Sequence, residues 1–200
     1  MGMERFAFWR RSGTMRPMRG NELVAKADAL ARRAHRGQRR KNGEPFIDHV
    51  RRVAAAVRSP KEKAVALLHD AVEKGRADWK DLFAAGFPPE VVSAVERLTR
   101  RPRESYEAFV RRAAAVPLAR AVKLADLEDS LDLRRYNQLG PKEWTRLHRH
   151  YHAWQGLVRA PQKKRAKVPP RPKAQAKTKA KAKAKASAKA PAKAKAKARR

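Results

Sequence analysis

Prolines, glycines and capping residues divide residues 20–160 into short segments, and within each segment apolar residues recur at steps of three and four. This spacing places apolar side chains on one face of an α-helix, whereas a half-buried strand needs a strict alternation that no segment shows convincingly. Eight such segments follow one another over about 140 residues, which is enough to bury a core. The sequence therefore predicts an all-α domain, a bundle of about eight helices.

The third predicted helix has the clearest boundaries. Residues 59–62, with the sequence SPKE, form a capping box that has proline at the first helical position. Gly75 follows VALLHDAVEK and predicts the end of this helix. We therefore expect one continuous helix to carry His69 and Asp70 beside its apolar face.

Positive charge is distributed unevenly along the chain. The net charge is +32, and residues 161–200 contain 17 Lys and Arg and no acid. There is no cysteine, which excludes disulfides and thiolate metal sites, and no apolar run approaches the roughly 18 residues of a membrane span. We expect a soluble, cytoplasmic protein with three parts: a basic, disordered N-terminal arm at residues 1–19, a helical domain at residues 20–160, and a disordered basic tail at residues 161–200.

Two histidines and two aspartates lie in three short stretches, with His49 in FIDHV, His69 and Asp70 in ALLHDAVEK, and Asp126 in VKLADLEDS. Imidazole and carboxylate together suit a divalent ion that assists hydrolysis. Taken singly, each residue has a plainer role, because Asp126 can pair with Lys or Arg and His69 can belong to a hydrogen-bond network. Their combination and setting favour a single metal site.

The same stretches belong to an ordered set of motifs. AHRGQRRKNGEPFIDHV is followed by ALLHDAVEKG and then by VKLADLEDS. In these motifs and their order, the chain resembles the hydrolase domain of RelA/SpoT homologues, within the HD metal-dependent phosphohydrolases, and especially the small stand-alone versions. The resemblance covers roughly residues 20–155. It implies that the helical bundle is an HD domain.

The resemblance also implies a chemical role for each matching residue. His49, His69, Asp70 and Asp126 would bind one divalent ion, usually manganese in this family. Glu73 matches the catalytic acid and base position. The implied reaction is hydrolysis of the 3′-diphosphate of guanosine tetra- or pentaphosphate, which releases pyrophosphate and GDP or GTP.

Substrate contacts are implied as well, with two departures from the family pattern. Arg40 and Lys41, with the neighbouring Asn42, match the basic residues that hold the nucleotide, although a solvated basic loop would look the same in so basic a chain. Lys74 stands where the hydrolases commonly have Asp after the catalytic Glu, and it either neutralises a substrate phosphate or pairs with a nearby acid. Ser130 stands where the family usually has an Asn that contacts the nucleotide. Serine keeps a hydrogen-bond donor and acceptor, but its side chain is shorter and extends less far toward the nucleotide. Both departures predict weaker activity or altered substrate preference.

Three functions are compatible with these residues. The favoured one is a metal-dependent phosphohydrolase acting on guanosine tetra- or pentaphosphate or a related phosphorylated nucleotide. The alternative is a nucleotide-binding or nucleoid-associated protein whose HD fold has lost turnover, which Lys74 and Ser130 favour. A third function keeps hydrolysis but changes the substrate, for example to a 2′-phosphorylated dinucleotide.

The remaining histidines have simpler interpretations. His148 and His152 share a helix face in RLHRHYHAW, with His150 between them, but the surrounding arginines favour a basic helix face over a second metal site. His35 lies within a motif, and we expect it to pack or hydrogen-bond in the domain rather than to bind the metal.

The C-terminal tail predicts a nucleic-acid partner, with DNA and RNA both open. Residues 173–200 contain no large apolar side chain, so the segment cannot form a core alone, but a polyanion would relieve its charge repulsion. The tail is similar to those of linker histones and bacterial nucleoid proteins, which recognise phosphate charge rather than base identity. A solubilising tail without a partner is the alternative, and binding to DNA would place the protein at the nucleoid. The predicted phosphate contacts are Lys163, Lys164, Arg165, Lys177, Lys179, Lys181, Lys183, Lys185, Lys193, Lys195 and Lys197.

Overall fold

Eight α-helices make up most of residues 18–159, the part of the chain that a computed structural model describes. A 3₁₀ helix, Leu133–Arg135, precedes the last α-helix, and residues 18–159 contain no strand beyond one isolated bridge between Arg39 and Pro45. The all-α prediction is confirmed. The helices are α1 (Gly20–Ala34), α2 (Phe46–Ala56), α3 (Pro60–Leu68), α4 (Trp79–Ala84), α5 (Pro89–Leu98), α6 (Tyr106–Ala114), α7 (Pro117–Leu131) and α8 (Pro141–Arg159).

Local signals account for most helix starts. At α3, the Ser59 hydroxyl accepts a hydrogen bond from the Glu62 N–H at 3.2 Å, and the Glu62 carboxylate accepts one from the Ser59 N–H at 2.7 Å. This is the predicted capping box, and it satisfies backbone donors that have no partner within the helix. Proline at the first turn begins α3, α5 and α7, where its missing N–H costs nothing.

The end of α3 differs from the prediction, because the helix stops at Leu68 rather than near Gly75. The Ala71 N–H donates to the Leu68 carbonyl three residues back, whereas the N–H groups of Lys74 and Gly75 both donate to the Asp70 carbonyl. The hydrogen-bond spacing therefore changes from three residues at Ala71 to four and five residues at Lys74 and Gly75. Residues 69–74 form turns instead of continuing the α-helix. A side chain at residue 75 would place its Cβ 2.5 Å from the Ala71 carbonyl oxygen, so glycine is required for this packing.

Helices α3 and α7 lie at the centre of the bundle. α3 packs against α1, α2, α5 and α7, while α7 also packs against α2, α5, α6 and α8. Residues 64–68 of α3 are all buried. Because burial of each large apolar side chain contributes about 1.5–3 kcal/mol, this core determines where the two helices lie. The turns that follow α3 are thereby placed next to α7.

The predicted arm at residues 1–19, apart from Met18 and Arg19, and the predicted tail at residues 161–200 lie outside the described residues. Of the helices within residues 18–159, none combines the length and the apolar character needed to cross a membrane.

Candidate metal centre and active-site cavity

The four predicted metal ligands converge where α2, the turns after α3, and α7 meet. His49 Nε2 lies 3.4 Å from Asp126 Oδ1, and His69 Nε2 lies 3.4 Å from Asp70 Oδ2. The two remaining histidine–aspartate separations are both 3.8 Å. Ligand atoms that share one ion at about 2.1 Å are themselves roughly 3–3.5 Å apart, so these separations are close to those of one coordination sphere.

Hydrogen bonds orient both histidines for ligation through Nε2. His69 Nδ1 lies 2.7 Å from the Ala66 carbonyl oxygen, and His49 Nδ1 lies 2.7 Å from Asp129 Oδ2. Because a carbonyl oxygen only accepts, Nδ1 of a neutral His69 carries the proton and Nε2 keeps its lone pair. His69 Nε2 is also buried without a hydrogen-bond partner. A metal ion would satisfy this nitrogen, so the donor set fits a divalent cation.

The two aspartates of the cluster are held in their charged form. Burial by itself would raise the pKa of Asp126, but Lys123 and the two histidines outweigh it and hold this pKa well below its ordinary value. The pKa of Asp70 is also lowered, because His69 and Lys74 outweigh the effect of burial. A buried Asp70 and a mostly buried Asp126 in one cluster need nearby positive charge. The site is therefore suited to hold a cation.

Asp129 belongs to the site, although the sequence interpretation missed it. Its carboxylate accepts from His49 Nδ1 at 2.7 Å, from Arg52 Nε at 2.6 Å and from Arg40 Nη1 at 3.1 Å. Burial raises the pKa of Asp129, but His49 and Arg52 outweigh it and keep the carboxyl ionised. The available signal was its spacing from Asp126, because residues three apart lie on the same face of a helix.

The loop before α2 carries Arg40, Lys41 and Asn42. Each of these side chains contacts a residue of another element. The Arg40 guanidinium is 23% exposed and donates to Asp129, while Lys41 Nζ lies 3.6 Å from Glu143 Oε1. The Asn42 side-chain amide donates to the Arg135 carbonyl at 2.9 Å. These contacts tie the loop to α7, α8 and the 3₁₀ helix between them.

One cavity of about 1080 Å³ brings the predicted metal ligands and substrate residues together. Its walls include the four ligands together with Arg40, Lys41, Asn42 and Ser130. Ser130 is buried, and its carbonyl accepts from the Tyr136 hydroxyl at 2.7 Å. Positive side chains outnumber the carboxylates around the cavity, which therefore suits an anionic ligand. The positive side chains are Arg39, Arg40, Lys41, Lys74, Arg100, Lys123, Arg135, Arg146 and Arg149; the carboxylates are Asp70, Glu73, Asp126, Asp129 and Glu143.

Glu73, the predicted acid and base, also lines this cavity. It lies in the turns after α3 rather than in a continuous helix, and its side chain is exposed. Its carboxylate accepts a hydrogen bond from the Arg100 backbone N–H at 2.7 Å. This contact holds Glu73 at the cavity wall and leaves its second oxygen available.

Lys74 contacts one of the predicted metal ligands. Its Nζ donates to Asp70 Oδ2 at 2.8 Å and lies 5.8 Å from the centroid of the Phe46 ring. Burial lowers the pKa of Lys74, but the carboxylates of Asp70 and Asp126 outweigh it and raise this pKa. Of the two roles that the sequence left open for Lys74, the structure shows the ion pair.

The other histidines do not join His49 and His69 in one cluster. His150 lines the cavity and stacks on Tyr106, and burial lowers its pKa to about 4. His148 and His152 lie on an exposed part of α8, with their Nε2 atoms 3.0 Å apart. His35 is buried, stacks on Phe46 and is hydrogen-bonded to Gln38, as expected for a packing residue. Within residues 18–159, three-residue metal clusters are confined to His49, His69 and Asp70.

Comparison with known proteins identifies relatives of this domain. The chain is 31% identical over 102 residues to the GTP pyrophosphokinase of Brucella melitensis biotype 1. It is 33% identical over 94 residues to a probable chloroplastic GTP diphosphokinase of Oryza sativa subsp. japonica. These matches cover 49% and 42% of the chain and 14% and 13% of the two relatives, so the chain matches about a seventh of their length.

A solved structure and a family model also match this domain. The structure is that of a metazoan SpoT orthologue described as hydrolysing ppGpp and acting in starvation responses. It matches with a TM-score of 0.58 and 23% identity, over 74% of this chain and 89% of the other. A family model described as HD domain matches residues 27–130, more than half of the chain. The resemblance to RelA/SpoT homologues is thus confirmed for the domain, and the chain belongs to the HD-domain family.

Proposed function

We propose that the domain is a metal-dependent phosphohydrolase that removes the 3′-diphosphate from guanosine tetra- or pentaphosphate or a related phosphorylated nucleotide. The observation that carries this proposal is the position of a two-histidine, two-aspartate set in the wall of a basic cavity. The names of the relatives support the substrate class, because two are guanine-nucleotide pyrophosphokinases and one hydrolyses ppGpp.

In this proposal His49, His69, Asp70 and Asp126 hold one divalent ion, and manganese is the expected metal. Mixed nitrogen and oxygen ligands suit such an ion, although they do not select manganese over its neighbours. The ion would supply Lewis-acid chemistry, lowering the pKa of water and offsetting charge on the phosphoryl group.

The remaining side chains of the cavity would bind the nucleotide and move the proton. Arg40 can grip a phosphate with two N–H groups or stack on a base, and Asp129 holds its guanidinium in the cavity wall. Lys41 and Asn42 follow it on the same loop, and Ser130 on α7 lines the same cavity and would offer a short hydroxyl. Glu73 would take a proton from the attacking water, because among the carboxylates that line the cavity it is the exposed one.

The proposal is tested by measuring pyrophosphate release from guanosine tetraphosphate by the full chain with manganese. Asp70→Asn should abolish release, whereas Asp48→Asn, an identical change on α2 outside the cavity walls, should leave most of it. A panel of nucleotides, including a 2′-phosphorylated dinucleotide, identifies the preferred substrate. Absence of turnover on the whole panel, with bound metal demonstrated, would contradict the enzyme assignment.

A second candidate function is a nucleotide-binding protein with little or no turnover. The observation that favours it is the Lys74–Asp70 ion pair, because a cation stands where the hydrolases commonly have a second carboxylate. Lys74→Asp should raise the rate of pyrophosphate release if this departure limits catalysis. An unchanged rate in Lys74→Asp would mean that Lys74 does not limit turnover.

We also propose that the tail at residues 161–200 binds DNA or RNA without sequence preference and brings the domain to nucleic acid, including the nucleoid. The support is its charge, with 17 Lys and Arg and no acid. Such a density of positive charge attracts polyanions by releasing their counterions.

A further inference from the structure

Two lysines face the two aspartates of the candidate metal centre, and they do so in different ways. Lys74 Nζ lies 2.8 Å from Asp70 Oδ2, and Lys123 Nζ lies 2.8 Å from Asp126 Oδ2. We propose that Lys74 is a built-in competitor of the metal ion, which occupies Asp70 until the ion displaces it, whereas Lys123 supports the ion's binding. This inference rests on the proposed metal centre.

The shared atom at Asp70 is the basis for competition. Asp70 Oδ2 accepts from Lys74 and is also the oxygen that lies 3.4 Å from His69 Nε2 and 3.8 Å from His49 Nε2. An ion between the two histidines would therefore use the same oxygen that the ammonium uses. Because the ammonium and the ion would repel each other while using one oxygen, they compete for Asp70 Oδ2.

Asp126 divides its oxygens between two partners instead. Its Oδ1 lies near His49 Nε2 and His69 Nε2, while Oδ2 accepts from Lys123. Lys123 therefore holds the carboxylate in position without occupying the oxygen that faces the metal site. We therefore expect Lys74 to weaken binding of the metal ion and Lys123 to support it.

The surroundings of the two lysines agree with this distinction. The Lys74 side chain is 47% exposed, so it can turn away from Asp70 without losing much buried contact. Lys123 is 9% exposed, and its Nζ lies over the rings of Phe109 and Tyr106 at 5.0 and 5.9 Å from their centroids. Lys123 is held in place by this packing, whereas Lys74 is free to leave.

Competition gives Lys74 two functions at different stages. Without metal, its ammonium offsets the cost of an otherwise uncompensated buried Asp70 carboxylate. After metal binds, the displaced ammonium stays at the wall of a basic cavity, where it can contact a phosphate. Metal binding would thus precede and favour binding of the anionic substrate.

The direct test measures binding of Mn²⁺ alone to the full chain, with free Mn²⁺ quantified by electron paramagnetic resonance. Lys74→Met and Lys74→Gln should bind Mn²⁺ at least tenfold more tightly than the wild type, because the competing charge is gone. Lys74→Arg keeps the charge and should retain the lower affinity. The matched variant Lys123→Met should not bind Mn²⁺ more tightly than the wild type. Lys80→Met, at an exposed position of α4, should match the wild type.

The outcomes separate this inference from the proposed function. Equal or weaker Mn²⁺ binding by folded Lys74→Met and Lys74→Gln would overturn the competition, while leaving the metal centre intact. Tighter binding by Lys123→Met as well would also overturn it, because the effect would then be general charge removal. Absence of Mn²⁺ binding in every variant and in the wild type would overturn the metal centre itself.

A second measurement follows the lysine directly. Acylation of lysines by an amine-reactive reagent, mapped by peptide mass spectrometry, should increase at Lys74 when Mn²⁺ is added. The exposed Lys80 serves as the internal reference and should not change. Labelling of Lys74 that stays constant or falls when Mn²⁺ binds would contradict displacement.

Discussion

Asp129, three residues after Asp126 on α7, orients the His49 ring, because its Oδ2 lies 2.7 Å from His49 Nδ1. His49 Nε2 then faces Asp126. The same carboxylate accepts from Arg40, a predicted nucleotide contact that also lines the cavity. One residue therefore links the metal ligands to the predicted nucleotide contacts. Partners of this kind behind a ligating histidine fix its ring and its proton position.

Asp129→Asn should weaken metal binding by about 10- to 100-fold, the usual effect of losing the partner behind a ligating histidine. Isothermal titration calorimetry with Mn²⁺ measures this change. Glu128→Gln is the matched control, since Glu128 is the adjacent acid on α7 and contacts Trp154 outside the cavity. If the two variants bound metal equally well, Asp129 would have no orienting role.

Arg40→Lys should raise the KM for guanosine tetraphosphate by about tenfold or more, because a lysine keeps the charge but cannot make two parallel hydrogen bonds to a phosphate. Steady-state kinetics of pyrophosphate release measure KM and kcat. Arg36→Lys, an exposed position outside the cavity, should leave KM unchanged. A normal KM in Arg40→Lys would argue against nucleotide contact by Arg40.

Metal should stabilise the folded domain through the four candidate ligands. At a Mn²⁺ concentration of 100 times Kd, the free energy of unfolding should increase by about 2.7 kcal/mol, because the ion binds the folded state. Thermal unfolding with and without Mn²⁺, and after adding EDTA, measures the shift. The increase should disappear in Asp126→Asn and persist in Glu128→Gln. The same increase in Asp126→Asn would exclude Asp126 as a ligand.

The stability that Glu104 contributes should be lost as the pH falls below about 4.5. Hydrogen bonds from Arg112 lower the pKa of Glu104 to about 2, from an ordinary value of 4.5. Since the folded-state pKa is the lower one, this carboxylate stabilises the fold above pH 4.5, and its contribution falls as the pH drops toward 2. Glu104→Gln should therefore cost about 1.5–3 kcal/mol at pH 7 and progressively less toward pH 2.

Urea denaturation of the wild type and Glu104→Gln at several pH values measures this difference. Glu107→Gln, an exposed change on the following helix, is the control and should have little effect. A gap between wild type and Glu104→Gln that stays constant between pH 7 and pH 2.5 would contradict the ion-pair explanation.

Binding of the tail to nucleic acid should depend strongly on salt. If roughly eight phosphates are contacted, log affinity for duplex DNA should fall with log salt concentration at a slope near −7. Fluorescence anisotropy over a salt series measures this slope, and single-stranded RNA serves as the comparison. A chain truncated after Ala160 should bind much more weakly. Undiminished binding by this truncated chain would assign the interaction to the helical domain.

The sequence by itself determined the helical class, most helix starts and some of the residues that line the cavity, although not Asp129. Capping boxes, prolines and three- and four-residue apolar spacing act within one or two turns, so they can be recognised without knowledge of the fold. The candidate ligands also stand in short motifs, which is why His49, His69, Asp70 and Asp126 could be chosen from the chain alone.

Tertiary structure alone decided the pairings between charged groups that lie far apart in the sequence. Asp129 is 80 residues from His49, and Arg40 is 89 residues from Asp129, yet each pair is in hydrogen-bond contact. Such pairings depend on where the packed core of α3 and α7 brings side chains that are distant in sequence, and no local signal encodes that position. The motifs thus identified the candidate ligands, and packing determined that Asp129 lies behind one of them, His49.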